Sequence, residues 1–140
     1  VLSVEKKLFV ETNNGTNRQI RPVTPEQPLR IGDKVIVRLT IRTDREMNYV
    51  FLKDLRAGCF EPADQLSGPE SRDGIWYYRS PKDVSENFFI NRLPEGTFVL
   101  EYPVYVSRSG EYAGGISTIQ CMYAPEFVSH TAGESLRIMP

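Results

Sequence analysis

Histidine and tryptophan each occur once in this 140-residue chain, and cysteine twice. A structural zinc site takes four Cys or His ligands, usually in close pairs. Cys59, Cys121 and His130 make only three, widely scattered, and no HExxH or CxxC accompanies them. No metal or cofactor is therefore expected. No apolar run approaches the ~20 residues of a membrane span, so these residues are not expected to insert directly into a membrane. Charge of one sign is also missing. The 17 basic and 18 acidic residues leave a net −1, with no bulk field favouring nucleic acid or an anionic surface. No secretory leader is expected in these residues, and the first of them is Val rather than Met. The expectation is a piece of a longer protein, or a mature form.

Sustained helical periodicity is absent as well, and a period of two takes its place. In "KVIVRLTIRT", Val35, Val37, Leu39 and Ile41 share one face, with Arg38, Thr40 and Arg42 on the other. In "TFVLEYPVYV", Phe98, Leu100, Tyr102, Val104 and Val106 share a face. Such alternation marks half-buried antiparallel strands. Pro103 cannot donate to a ladder, so it points to an edge or a bulge. Further strand candidates are "KKLFVE", "NYVFLKD", "IWYYRS", "NFFINRL", "ISTIQCMYA" and "SLRIM". "RIGDK", "LPEGT" and "RSGEYAGG" read as turns. About eight short strands in one domain, residues 1–140, predict an all-β antiparallel β-sandwich. The stretch from Gly58 to Gly74 is expected to be irregular, and "SPKDVSEN" has room for one helical turn.

Few constellations suggest chemistry. Cys121 and His130 are separated by nine positions and Pro125, and packing of Cys121 as a small hydrophobe is the better reading than a catalytic dyad. No pair among the acidic residues stands out for acid–base work. Cys59 and Cys121 have two readings, a disulfide in an oxidising compartment or two buried thiols. Trp76, Tyr77 and Tyr78 form an aromatic cluster. Alternation puts Trp76 and Tyr78 on one face and Tyr77 on the other, and core filling by alternate members is favoured over a stacking platform. Asn14-Gly15-Thr16 fits a glycosylation sequon but reads better as a turn.

Several segments, in order from about Val4 to Ile138, resemble bacterial alpha-2-macroglobulins. "QCMYAPEFVSHTAGESLRI" looks like the family's closing segment. "RPVTPEQPLRIGDKVIVRLTIRTDREMNYVFLKDLRAGCFEP" and "NFFINRLPEGTFVLEYPVYVSRSGEYAGG" resemble earlier stretches of the same domain. The resemblance implies the C-terminal macroglobulin-like domain of a larger envelope protein, one that traps proteases and in some members carries an internal thioester. The family's thioester motif is Cys-x-Glu-Gln. Neither Cys59-Phe-Glu-Pro nor Cys121-Met-Tyr-Ala matches it, so any thioester lies elsewhere in the parent. The resemblance also implies a shielding surface on the strand bearing Met122 and Tyr123. Alternation favours Met122 for it, because Tyr123 shares a face with Ile119 and Cys121. Cys59 is an insertion relative to the family pattern, and the two cysteines depart from it together, which favours a bond between them.

The expected function is thus a scaffold domain of a protease-trapping inhibitor in the periplasm or cell envelope, with no catalysis of its own. Its partners would be neighbouring domains of the parent chain and, through the full-length protein, target proteases. The parent would be a candidate for lipid anchoring. The alternative is a glycan- or protein-binding module using Trp76 and Tyr77.

Overall fold

The computed structural model describes residues 1–15, 17–63 and 67–140, with Asn14 by its backbone alone. The described residues form strands and turns, with no helix. In chain order the first seven strands are Leu2–Asn14 (β1), Asn17–Pro22 (β2), Leu29–Arg30 (β3), Lys34–Thr43 (β4), Met47–Leu55 (β5), Phe60–Pro62 (β6) and Gly68–Arg72 (β7). Then come Ile75–Pro81 (β8), Ser85–Leu93 (β9), Gly96–Val106 (β10), Gly110–Gly114 (β11), Ser117–Cys121 (β12), Val128–His130 (β13) and Glu134–Met139 (β14).

One sheet has the order β2-β1-β4-β10-β6 and a second β13-β12-β5-β9-β8-β7. A small third sheet, β11-β14-β3, ties down the C-terminal strand. The all-β antiparallel sandwich is as expected. The strands are more numerous than the eight foreseen: short β6 and β7 lie inside the Gly58–Gly74 stretch expected to be irregular, β11 lies inside the "RSGEYAGG" expected to be a turn, and β2, β3 and β13 add to them. The "SPKDVSEN" segment holds the end of β8 and the start of β9, and no helical turn. Gly15, at φ 71, starts the turn of the β1–β2 hairpin, where Asn14 pairs with Asn17. The sequon's Thr16 lies outside the described residues.

Alternation explains the core directly. Val35, Val37, Leu39 and Ile41 on β4, with Leu100, Tyr102 and Val104 on β10, face inward from the first sheet. Val50 and Leu52 on β5, Phe88 and Ile90 on β9, and Ile119 on β12 meet them from the second. Pro103 pairs with Ile36 of β4, and its carbonyl accepts from the Ala63 N–H on the other side. In an antiparallel strand the N and O of one residue face the same way, so the proline nitrogen faces the β6 side. There β6 pairs only with Val104–Val106, and no ladder bond is lost at Pro103.

The interior also holds carboxylates. Asp54 of β5 and Glu86 of β9 are directly opposite each other and fully buried. Asp54 accepts from Lys6 Nζ at 2.7 Å, from Ser117 Oγ at 2.7 Å and from the Tyr102 hydroxyl. Glu86 accepts from Arg79 and, at 3.1 Å, from Arg56. Lys6 Nζ also reaches the Gly115 carbonyl at 2.8 Å. At Gly115 a Cβ would lie 1.8 Å from the Leu55 carbonyl oxygen, so only glycine permits this crossing.

Removing Asp54 would leave the Lys6 ammonium, the Tyr102 hydroxyl and the Ser117 hydroxyl without their shared acceptor. Asp54→Ala is expected to cost about 3–5 kcal/mol, read as a lower urea midpoint with an unchanged slope. Arg42→Ala, which breaks only the exposed pair with Glu5, should stay within about 1 kcal/mol.

Candidate functional site

The end of the sandwich at the β12–β13 loop carries the clearest exposed apolar cluster. Pairing of β12 with β5, from Ser117 opposite Asp54 to Cys121 opposite Val50, delivers the chain to that end. The ladder then stops. The Met122 N–H donates to the Tyr49 carbonyl at 2.8 Å, and the Ala124 N–H to the Cys121 carbonyl at 3.3 Å. Phe127 N–H donates to the Ala124 carbonyl at 2.9 Å, and Cys121 N–H to the Phe127 carbonyl at 3.0 Å. Phe127 packs on the core, with the Arg45 guanidinium 4.9 Å from its ring centroid. Residues 122–127 therefore form a loop closed at its neck by backbone bonds.

Met122 is 54% exposed and Tyr123 79%. Strand alternation prefers Met122 and directs Tyr123 to the core, and the structure overturns that preference. Both residues follow the end of the strand, in the turn, and both side chains stand outside. Tyr49 joins them, 48% exposed. Its ring meets Tyr123 edge-on at 4.8 Å between centroids and 67° between planes. The nearby charges pair among themselves, Arg45 with Asp44 and Arg92 with Glu46. The Arg45 guanidinium beside Asp44 holds its carboxyl well below the usual carboxylate range.

A second exposed aromatic group lies on the outer face of the six-stranded sheet. Tyr78, Phe89 and Phe51 are aligned across β8, β9 and β5 by register, and Phe51 stacks on Phe89 at 4.8 Å. Trp76, 71% exposed, borders a cavity of about 420 Å³ with Tyr78, Phe89, Asn91 and Arg92. Tyr77 points the other way, buried edge-on against Phe88, and burial pushes its phenol pKa up. Trp76 and Tyr77 thus do not form one surface.

Residues 2–126 match the family described as the bacterial alpha-2-macroglobulin MG10 domain. The chain belongs to that family. Its fold is similar to that of Salmonella alpha-2-macroglobulin reacted with methylamine (TM-score 0.75, 22% identity), covering all of this chain and 9% of that one. Trypsin-activated alpha-2-macroglobulin from Escherichia coli is similar too (TM-score 0.74, 17% identity), with all of this chain and 10% of that one covered. A Dictyostelium discoideum relative, circularly permutated Ras protein 2, is 28% identical over 109 residues, which are 78% of this chain and 3% of that protein. The chain therefore spans a tenth or less of the length of each of these relatives.

In this MG10 domain the expected bond between Cys59 and Cys121 is not formed, and both are buried free thiols. Their positions explain why. Cys121 lies opposite Val50, and its Sγ donates to the Asn48 carbonyl at 3.4 Å. Cys59 lies past the far end of β5, where its carbonyl accepts from the Ser107 N–H. The stretch from Val50 to Leu55 alone covers about 17 Å at ~3.3 Å per residue. A disulfide needs Cα atoms within about 7 Å. His130 is exposed and pairs with Thr118, three residues from Cys121 along β12, so the structure does not bring thiol and imidazole together. Among the described residues, no three His, Cys, Asp or Glu side chains gather into a metal site.

Tyr49 was missed in the sequence. Its place beside Tyr123 follows from the β5–β12 register and a local backbone turn, and no motif around Asn48-Tyr49-Val50 signals either.

Burial raises the Cys59 thiol pKa. Both thiols are buried, so both should react slowly with a thiol reagent in the folded chain and rapidly once it is unfolded. Mass spectrometry should find the same two free thiols with and without prior reduction. A two-hydrogen mass gain on reduction would contradict the free-thiol assignment.

Proposed function

We propose that this MG10 domain is a C-terminal scaffold domain of a bacterial alpha-2-macroglobulin-like protease-trapping inhibitor, performing no reaction itself. Its Met122–Tyr123 end packs on a neighbouring domain of the parent chain and keeps solvent from it. The observation that carries this reading is the exposed cluster of Tyr49, Met122 and Tyr123 on a loop closed by backbone bonds. Phenol rings and a thioether suit a close-packing, water-excluding contact, and a cluster of this kind marks an interaction surface.

One relative is described as reacted with methylamine and another as activated by trypsin. We extend that pairing of amine reactivity and protease response to the parent. Where the neighbour carries a Cys-x-Glu-Gln thioester, the group sheltered is that activated acyl bond, which survives only while water is kept out. Target proteases meet the domain through the full-length protein. A location in the periplasm or cell envelope, with the parent held by a lipid anchor, belongs to the same proposal.

A second reading is favoured by Trp76 alone. Its exposed indole beside a cavity with Asn91 and Arg92 suits a sugar ring or a partner side chain. Tyr77 takes no part in it. Retention on a glycan array, lost in Trp76→Ala, would favour this reading, and no retention of the unaltered chain would remove its glycan form.

In a thioester-bearing parent, Tyr123→Gly and Met122→Ala should speed thiol release by methylamine or water several-fold. In a parent without one, both should raise hydrogen exchange in the neighbouring domain. Unchanged behaviour of both variants, with the fold intact, would remove the shielding role.

A further inference from the structure

Tyr49 occupies a backbone conformation that its side chain disfavours. Its φ is 57°, in the left-handed region, where a bulky non-glycine residue is strained. Among the described residues only one other non-glycine, Asp73 at φ 58°, shares that sign. Asp73 has an ordinary reason. It forms with Gly74 the two-residue Asp-Gly turn between β7 and β8, where Arg72 pairs with Ile75, and such turns call for positive φ. Tyr49 lies inside a strand, between Asn48 paired with Arg92 and Val50 paired with Ile90.

Core packing does not account for it. The inward alternation of β5 does break here, with Met47 and Val50 buried and Asn48 and Tyr49 both outside. The partner strand makes the same switch, however. On β9, Ile90 and Leu93 are buried while Asn91 and Arg92 are both outside, and neither has a positive φ. A strand can therefore make this change of face without left-handed backbone.

What the turn at Tyr49 does accompany is the tip. The Tyr49 carbonyl accepts from the Met122 N–H, the first backbone bond beyond the end of β12, and the Tyr49 ring stands edge-on to Tyr123. The preceding residue's carbonyl accepts from Cys121 Sγ. One strained residue thus contacts the loop through both main chain and ring.

We propose that Tyr49 is a positioning residue for the exposed tip: its left-handed backbone sets its ring against Tyr123, holding that ring in the attitude in which it meets the neighbouring domain. This rests on the shielding role proposed above. It adds a residue that acts through Tyr123 and accounts for strain within a strand.

The two roles of Tyr49, strained backbone and supporting ring, come apart under substitution. Asn tolerates left-handed backbone and lacks the ring, Gly relieves the strain completely, and Phe keeps the ring. In the 140-residue chain, Tyr49→Asn should leave Tm unchanged or a few degrees higher, while the Tyr123 ring-proton resonances move toward those of a free tyrosine. Tyr49→Gly should release the ring in the same way, and Tyr49→Phe should keep the original resonances. In the full-length parent, Tyr49→Asn should raise solvent attack on the sheltered group, or hydrogen exchange in the neighbour, by about 2- to 12-fold. That range corresponds to an edge-to-face pair of about 0.5–1.5 kcal/mol at ~1.4 kcal/mol per tenfold. Tyr49→Phe should restore the original rate.

A fall in Tm for both Asn and Gly, with the Tyr123 resonances unmoved, would overturn the proposal and leave Tyr49 a packing residue only. Tyr123→Gly, run in parallel, separates the two ideas. If it leaves the full-length protein unchanged while Tyr49→Asn still frees the Tyr123 ring, the shielding role fails and the positioning role stands. If Tyr123→Gly speeds attack and Tyr49→Asn does not, the positioning role fails alone.

Discussion

Two carboxylates sit face to face inside this sandwich, and their compensation constrains much of what surrounds them. Asp54 and Glu86 are directly opposed across β5 and β9, and both are fully buried. Like charges opposed on a sheet destabilise it, and buried charges without partners cost several kcal/mol each. The fold meets that cost by bringing cations and donors from distant strands. Lys6 comes from β1, Tyr102 from β10, Ser117 from β12, Arg79 from β8, and Arg56 from just beyond β5. Burial and the Asp54 carboxylate push the Tyr102 phenol pKa well up, so the hydroxyl keeps its proton and donates it. Burial also pushes the Glu86 carboxyl up, against the two guanidinium groups that pull it down.

Apolar faces alone specify a sandwich loosely, because a hydrophobic contact has no direction. A slip of one residue on β5 would turn Asp54 out and Lys53 in, and abandon three donors together. The row Ser117–Asp54–Glu86 therefore pins the register of β12 on β5 and of β5 on β9. The pinning reaches the tip. Met122 falls beside Tyr49 because Ser117 falls beside Asp54, five residues earlier on the same antiparallel ladder. A buried ionic set at one end of the second sheet thus fixes which side chains are exposed together at the other.

The sandwich was legible in the sequence for a simple reason. The inward residues of β4 and β10 recur every second position with little interruption, and that spacing has one structural meaning. Asp54 was legible in part, since it lies on the same face as Val50 and Leu52 in "NYVFLKD", yet nothing in the sequence names Lys6 or Tyr102 as its partners. The tip was located by resemblance and then oriented wrongly. Alternation was carried to Met122 and Tyr123, but the ladder ends at Cys121, where backbone bonds within residues 121–127 replace strand pairing. The cysteine pairing failed for a related reason. Two departures from a family pattern can look like partners, while the length of β5 keeps them at opposite ends of the domain.

The two exposed aromatic groups differ in the kind of support they have, and the difference bears on which is built for contact. Trp76 and Tyr78 stand on a regular strand, where outward rings follow from alternation and need no special backbone. The tip departs from regular structure at every step: a left-handed tyrosine inside a strand, a ladder that stops, and a loop neck drawn closed around Phe127. Each departure forgoes a regular conformation and leaves apolar surface in water. Strain at Tyr49 beside the exposed Met122 and Tyr123 is hard to attribute to folding, since folding alone is served by relieving the strain and covering the side chains. They are accounted for when a second surface completes the structure, as in the neighbouring-domain contact proposed above, and the solved chains that share this fold are about ten times as long.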